Sequence, residues 1–300
     1  MKILAAGTSG FLGTALRARL GDSGHEVTQL VRSEPHHTGQ VGWNPARREL
    51  DRDLIESHDV VLNLAGAPIA HWPWTSSYRR ELLESRVSTT GTLAEAIAAS
   101  QRKPALVNAS GIDYYGHGPQ VVDEDSPSGN TFLAGVCREW EAATAPAAAH
   151  GARVAIARTA VALDRSALVL KLISLPVKVG LGARLGSGEQ WFATVSLEDY
   201  LAALTRMIVD DSMSGPYNVV APVPATNAEF TEALGEVLHR PTWLVAPRFA
   251  LKIALGGLAD LPLGSIHAQP RRLMEAGFTF AHPTIREQLA AAYDRSASAA

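Results

Sequence analysis

The sequence predicts an α/β protein, a doubly wound parallel sheet followed by a smaller, mostly helical C-terminal lobe. Three observations predict it. Apolar, β-rich runs alternate with runs of helical spacing through the first half, as βαβ units require when helices cover both faces of a parallel sheet. Glycines at positions 7, 10 and 13 join the first strand to the first helix. After Ala162 the alternation gives way to glycine-rich and helical stretches.

The elements follow in order. KILAA (2–6) is an apolar strand ending at a glycine, and Phe11 to Leu20 has helical spacing. HEVTQLV (25–31) alternates as a strand does, and a short third strand ends near Trp43. HDVVLNLAG (58–66) is an apolar fourth strand, followed by a long helical pattern from Tyr78 to Ser100. ALVNAS (105–110) is a fifth strand, Phe132 to Ala149 a helix, and RVAIART (153–159) a sixth strand. Further on, Arg165 to Leu175 reads as a helix, 179–191 as a glycine-rich loop, Leu197 to Val209 as a helix and GPYNVVA (215–221) as a strand. Asn227 opens a helix with Glu229 and Glu232 expected in its first turn, which suits the helix dipole. Segments 247–260, 269–276 and 283–293 are helical, and SASAA (296–300) is a frayed end.

Composition narrows the function. The 300 residues carry a net charge of −3 with no dominant block of like charge, so no nucleic-acid partner is expected. Cys137 is the single cysteine, so an intramolecular disulfide is excluded and a reducing compartment expected. MKILAAG runs straight into a strand pattern without the apolar core of a signal peptide. No apolar run reaches the roughly 18 residues of a membrane span. A cytoplasmic protein without a membrane partner is therefore expected. The histidines, among them His36, His37, His71, His117 and His150, lack ligand spacing, so no metal is expected.

GTSGFLG (7–13) carries the first chemistry. Gly7 permits a tight turn, Gly10 lets the backbone approach a pyrophosphate, and Gly13 lets the helix pack close to the sheet. The helix N-terminus then presents unpaired N–H groups to the anion. An acid at the end of the second strand would hold a ribose 2′-hydroxyl; here the strand ends LVRS, and Arg32 and Ser33 suit a 2′-phosphate. The expected cofactor is NADP(H). NLAG (63–66) leaves room for it at the end of the fourth strand, and Trp43 is either a flank for the adenine or a core aromatic.

GTSGFLG, NLAG and NASGIDYYG resemble the extended short-chain dehydrogenase/reductases, whose best-known members are nucleotide-sugar epimerases and dehydratases. With HEVTQLVRS, ELLESRV, DEDSP, FLAGVCREWEAA, LGSGEQWF and ATNAEFTEALGEVLHRP, the chain is similar to the NADP-binding epimerase branch of that family, which carries a C-terminal domain of unknown function. The similarity runs from Met1 to about Tyr293. It implies a Rossmann-type domain over 1–165, rejoined by about 191–221. It also implies a smaller substrate lobe from 166–190 and 222–300, with the helical domain of unknown function at about 246–293. Carried over to matching positions, the cofactor contacts are Gly7, Ser9, Gly10, Phe11, Leu12, Gly13, Arg32, Ser33, Leu64, Ala65 and Gly66. Glu81 and Arg86 face the cofactor as well, and Arg158 and Thr159 approach its nicotinamide half.

The family's chemistry needs a tyrosine acid/base with a lysine four residues later on the same helix face, which lowers the tyrosine pKa and holds the nicotinamide ribose. Aligned on Glu141, those positions fall at Leu133 and Cys137; aligned on Tyr115 and Gly116, the Ser/Thr position near the fifth strand falls at Gly111. No tyrosine of the chain has a lysine four residues on. The catalytic residues are therefore unknown, with Tyr114, Tyr115 and Ser110 as weak candidates and Asp113 and Cys137 behind them. Gln190 and Trp191 are candidates for touching substrate, and HWPWTSSYRR (71–80) for a lid. Two functions follow. One is an epimerase- or oxidoreductase-like protein acting on a small molecule, a sugar nucleotide or a carbonyl compound. The other is a non-catalytic NADP(H) sensor or interaction protein.

Overall fold

The structure, a computed structural model, describes residues 1–294. The expected frayed end at 296–300 lies outside the described residues. Seven parallel strands form the central sheet: β1 (Lys2–Ala6), β2 (Glu26–Val31), β3 (Gln40–Gly42), β4 (Val60–Asn63), β5 (Ala105–Gly111), β6 (Val154–Thr159) and β7 (Gly215–Val219). Their order is β3-β2-β1-β4-β5-β6-β7, so the direction of progression reverses between β1 and β4. This is the Rossmann-type doubly wound sheet, and its crevice opens at that reversal.

Alternation along each strand feeds two cores. Ile3 and Ala5 of β1, with Val60 and Leu62 of β4, pack against Leu16 of α1 (Phe11–Asp22) and Leu204 of a helix at Leu197–Val209. Leu4 and Ala6, with Val61 and Leu106, face the other way onto Leu93 and Ile97 of α2 (Ser76–Ala99). Trp43 is buried in this second core with Leu30 and Ile55. Each leucine buried in this way contributes about 1.5–3 kcal/mol.

Several boundaries depart from the sequence expectation, each for a local reason. The helix expected over 132–149 divides into α3 (Phe132–Ala142) and a short helix at Ala145–Ala149, because Pro146 has no N–H and opens the second. The helix expected from Arg165 begins later, as α4 (Leu168–Lys178), since the Asp164 side chain takes the Ser166 amide into a turn. The glycine-rich loop contains a strand at Ala183–Leu185, paired in parallel with Leu244–Ala246. The helix at Leu197–Val209 has the expected bounds and becomes α5. Thr226, one residue before the expected start, caps α6 (Asn227–Leu238) in a reciprocal capping box with Glu229. α7 (Arg248–Leu255) ends at Gly256, whose φ of +53° breaks the helix, and a separate turn of helix follows at Asp260–Leu263. α8 (Ile285–Tyr293) closes the described chain.

A separate apolar cluster builds the lobe: Leu170 and Val177 of α4, Phe230 and Leu234 of α6, and Leu289 of α8. Part of the C-terminal region packs elsewhere. Ala268 and Leu273 are buried in the core of the sheet, with Phe278 and Phe280 against it.

Candidate functional site

The crevice is built by glycine contacts. Gly7 has φ +81°, and a Cβ there would lie 2.4 Å from the Leu64 carbonyl carbon and 2.5 Å from the Ala65 nitrogen, so the ends of β1 and β4 touch through it. A Cβ on Gly13 would lie 2.4 Å from the Gly7 oxygen, so α1 sits directly on the loop. Gly10 differs: a Cβ there would meet nothing nearer than 3.8 Å. It caps α1 without a side-chain hydrogen bond, and the first turn carries no acid. Gln29 braces the loop from β2 by donating to the Thr8 hydroxyl at 2.8 Å. The structure thus brings Gly7, Ser9, Gly10, Phe11, Leu12 and Gly13 together with Leu64, Ala65 and Gly66. Ser9 is exposed and Phe11 and Leu12 are half-buried. Arg32 and Ser33 stand exposed just past β2.

Glu81 and Arg86 are not a pair. Glu81 is exposed on α2, whereas Arg86 is buried. The Arg86 guanidinium lies 4.9 Å from the centroid of the Trp140 ring and donates to the Leu82 carbonyl at 3.0 Å. A Cβ on Gly66 would come within 3.0 Å of its Cζ, so the cation lies under the loop that ends β4. Burial lowers its pKa, against the charges of neighbouring groups.

The residues expected at the family's tyrosine and lysine positions are Leu133 and Cys137. Leu133 and Cys137 are buried on α3. Burial, reinforced by the charge of Asp113, pushes the Cys137 thiol up to about 12, which leaves it protonated. A Cβ on Gly111 would lie 3.4 Å from the Cys137 sulfur and 3.8 Å from Asp113 Oδ2, so thiol and carboxyl both flank this glycine. Burial raises the Asp113 pKa, against the charges of His117 and Arg86.

Ser110 and Tyr115 belong to a buried network around Arg158 and Glu141. Arg158 holds Glu141 through two hydrogen bonds, each 2.9 Å, and its guanidinium lies 3.5 Å from the Tyr114 ring centroid. Ser110 donates to Glu141 at 2.7 Å. The Tyr115 hydroxyl donates to Asn218 at 2.7 Å and accepts from Arg158 at 2.9 Å. Burial pushes the Tyr115 phenol up to about 12, opposite to the direction an acid/base at neutral pH needs. The Arg158 guanidinium is thus engaged with protein groups, while Thr159 bonds its own strand through the Ala157 carbonyl. Tyr114 is half-buried with its ring on Arg158.

Gln190 and Trp191 anchor the lobe. Gln190 is buried and donates to the Leu185 carbonyl, and Trp191 lies against His267 with ring centroids 4.1 Å apart. In the segment expected as a lid, Trp72 is exposed but Trp74 packs edge-on against Phe132.

Sequence reasoning missed the polar layer beneath the crevice. Buried Asn63 donates to Thr90 and Asn108, both at 2.8 Å, and accepts from the Ala65 amide, while Trp140 donates to Thr90 at 2.9 Å. The signal was present: NLAG and NAS each place an asparagine inside an apolar strand, where it needs partners. Trp140 is buried.

Residues 3–220 match the model of the NAD dependent epimerase/dehydratase family, and residues 246–292 match the Domain of unknown function (DUF1731). The chain belongs to the NAD dependent epimerase/dehydratase family. Within it, an epimerase family protein of Mycobacterium tuberculosis is 42% identical over 98% of each chain. The human epimerase family protein SDR39U1 is 34% identical, over 95% of this chain and 97% of its own length. The crystal structure of human SDR39U1 (isoform2) with NADPH has a TM-score of 0.87 at 30% identity, over 98% of this chain and all of that one. A nucleoside-diphosphate sugar epimerase from Corynebacterium glutamicum has a TM-score of 0.80 at 35% identity, with 97% of this chain and 58% of that chain covered. The two solved structures share the overall fold described above.

Proposed function

We propose that the chain binds NADP(H) across the ends of β1 and β4 and acts as an epimerase- or oxidoreductase-type protein on a small molecule, a sugar nucleotide or a carbonyl compound. One observation carries this reading: the uncapped N-terminus of α1 at Gly10 follows β1, and the exposed Arg32 and Ser33 follow its parallel neighbour β2, at the same carboxyl edge of the sheet. The amides suit a pyrophosphate and the arginine a 2′-phosphate. NADPH in the human relative supports it. NADP(H) supplies hydride exchange when bound, and the protein's part is to orient it and exclude water. Arg86, whose guanidinium lies under Gly66, is placed to offer the cation that the family takes from lysine. A reducing, cytoplasmic setting suits the single buried Cys137.

The sensor reading has its own support, since the Ser110 and Tyr115 hydroxyls are both engaged in the Glu141–Arg158 network. The two readings separate when the protein is incubated with NADPH and a panel of sugar nucleotides and carbonyl compounds. Turnover supports the first. Tight binding without turnover supports the second, and failure to bind NADPH contradicts both.

A further inference from the structure

The lobe carries an apolar face that the cofactor crevice does not account for. On α4, Leu168, Leu172 and Leu175 are exposed at helical spacing, and Val179 continues the stripe past the helix end. Their opposite face, Leu170, Ser174 and Val177, is buried. The exposed row continues through Leu181 into the two-stranded ribbon, where the Leu244 amide donates to the Gly182 carbonyl. Val245 is exposed on the second strand, and Trp243, just before it, is 80% exposed. Arg184 is the register partner of Val245. α7 follows directly, with Phe249 70% and Ile253 81% exposed, one helical turn apart. Isolated exposed apolar residues are ordinary, but so many on elements that follow or pair with one another point to a binding surface.

The charges on the same two segments have one sign. Residues 166–188 and 240–259 contain Lys171, Lys178, Arg184, Arg240, Arg248 and Lys252 and no aspartate or glutamate, in a chain of net charge −3. No ion pair joins any of these six to an acid among the described residues. A second copy seated face to face would set cation against cation. The complementary surface is anionic and apolar at once, with charge outermost and hydrocarbon just beneath it. An exposed tryptophan among lysines and arginines is also the side-chain set that settles at a headgroup boundary.

We propose that this face, α4 with the ribbon and α7, rests on an anionic phospholipid surface. The apolar side chains enter the acyl boundary and the six cations meet the headgroup phosphates. No helix among the described residues is long and apolar enough to cross a membrane, and peripheral adsorption needs none. This departs from the expectation of no membrane partner, which rested on the lack of a spanning run. It stands independently of the cofactor reading.

The test is co-sedimentation of the full chain with phosphatidylcholine vesicles, with and without phosphatidylglycerol. Expected are pelleting only with the anionic lipid, release as salt rises, and a blue shift of tryptophan emission that is lost in Trp243→Ser. Phe249→Ser with Ile253→Ser, and separately Lys171→Glu with Lys252→Glu, each weaken binding at least about tenfold. All of these side chains are exposed, so melting temperature and NADPH binding should not change. Failure to pellet with either vesicle, or pelleting indifferent to both double variants, overturns the proposal. So does a concentration-dependent dimer in sedimentation velocity that disappears in the Phe249/Ile253 variant, which would give the face to a second copy. Capture of a soluble acidic protein in preference to vesicles overturns it as well.

Discussion

Arg86 and the Glu141–Arg158 pair show how similar residues on neighbouring elements serve different ends. Glu141 neutralises Arg158, whose side chain is only 4% exposed. Glu141→Leu leaves that cation uncompensated and should cost about 3–5 kcal/mol, seen as a large drop in melting temperature. Arg86 lies beside the crevice instead. Arg86→Met should weaken NADPH binding about tenfold or more while leaving adenosine 2′,5′-bisphosphate, which lacks the nicotinamide half, bound as before. Arg86→Lys should restore part of the loss. A structural role for Arg86 would shift both ligands together. Asp113 gives a pH prediction. Its pKa is raised by burial, so the folded state favours the protonated carboxyl. The wild-type side chain is therefore best tolerated at acid pH, and its contribution falls as pH rises from the unfolded value through the folded one. Asp113→Asn should raise the melting temperature at neutral pH, with the gain shrinking as pH falls into the carboxylate range. Equal gains at all pH values would refute that account.

At the scale of elements, the turn between β1 and α1 separates packing from binding. Gly13→Ala would place a Cβ 2.4 Å from the Gly7 oxygen and 2.6 Å from the Thr8 Cα, both backbone atoms that cannot yield cheaply. It should lower stability and NADPH affinity together. Gly10→Ala meets only the Gly7 oxygen, at 3.8 Å. It should cost at most about 1 kcal/mol of stability yet obstruct the helix end and weaken NADPH. Thermal melts and titrations of both variants check the contrast. The strands and this turn were legible because a strand buried on both faces is apolar and the tight turn after β1 needs glycine. Helix bounds after Ala162 were less so: the Asp164 turn depends on a side-chain hydrogen bond, the Ala183–Leu185 pairing on a distant partner and the Gly256 break on a backbone angle, none of which periodicity encodes.

Across the whole molecule, the sheet and the lobe have separate apolar cores, and the C-terminal region serves both. Leu273 packs into the sheet while Leu289 packs into the lobe. The candidate site was legible where it depends on backbone, in Gly7, Gly13 and Gly66. It was illegible where it depends on buried polar pairing, since nothing in the spacing of Ser110, Glu141 and Arg158 announces that they meet. That pairing engages the expected acid/base candidates within the protein while leaving the cofactor crevice in place. NADP(H) recognition is thus the claim on which both functional readings stand. The most direct test is calorimetric titration of the wild-type chain and Arg32→Ala with NADPH and NADH. The account predicts that the wild type prefers NADPH and that Arg32→Ala loses most of that preference while still binding NADH. Equal affinity of the wild type for both, or binding of neither, would contradict it.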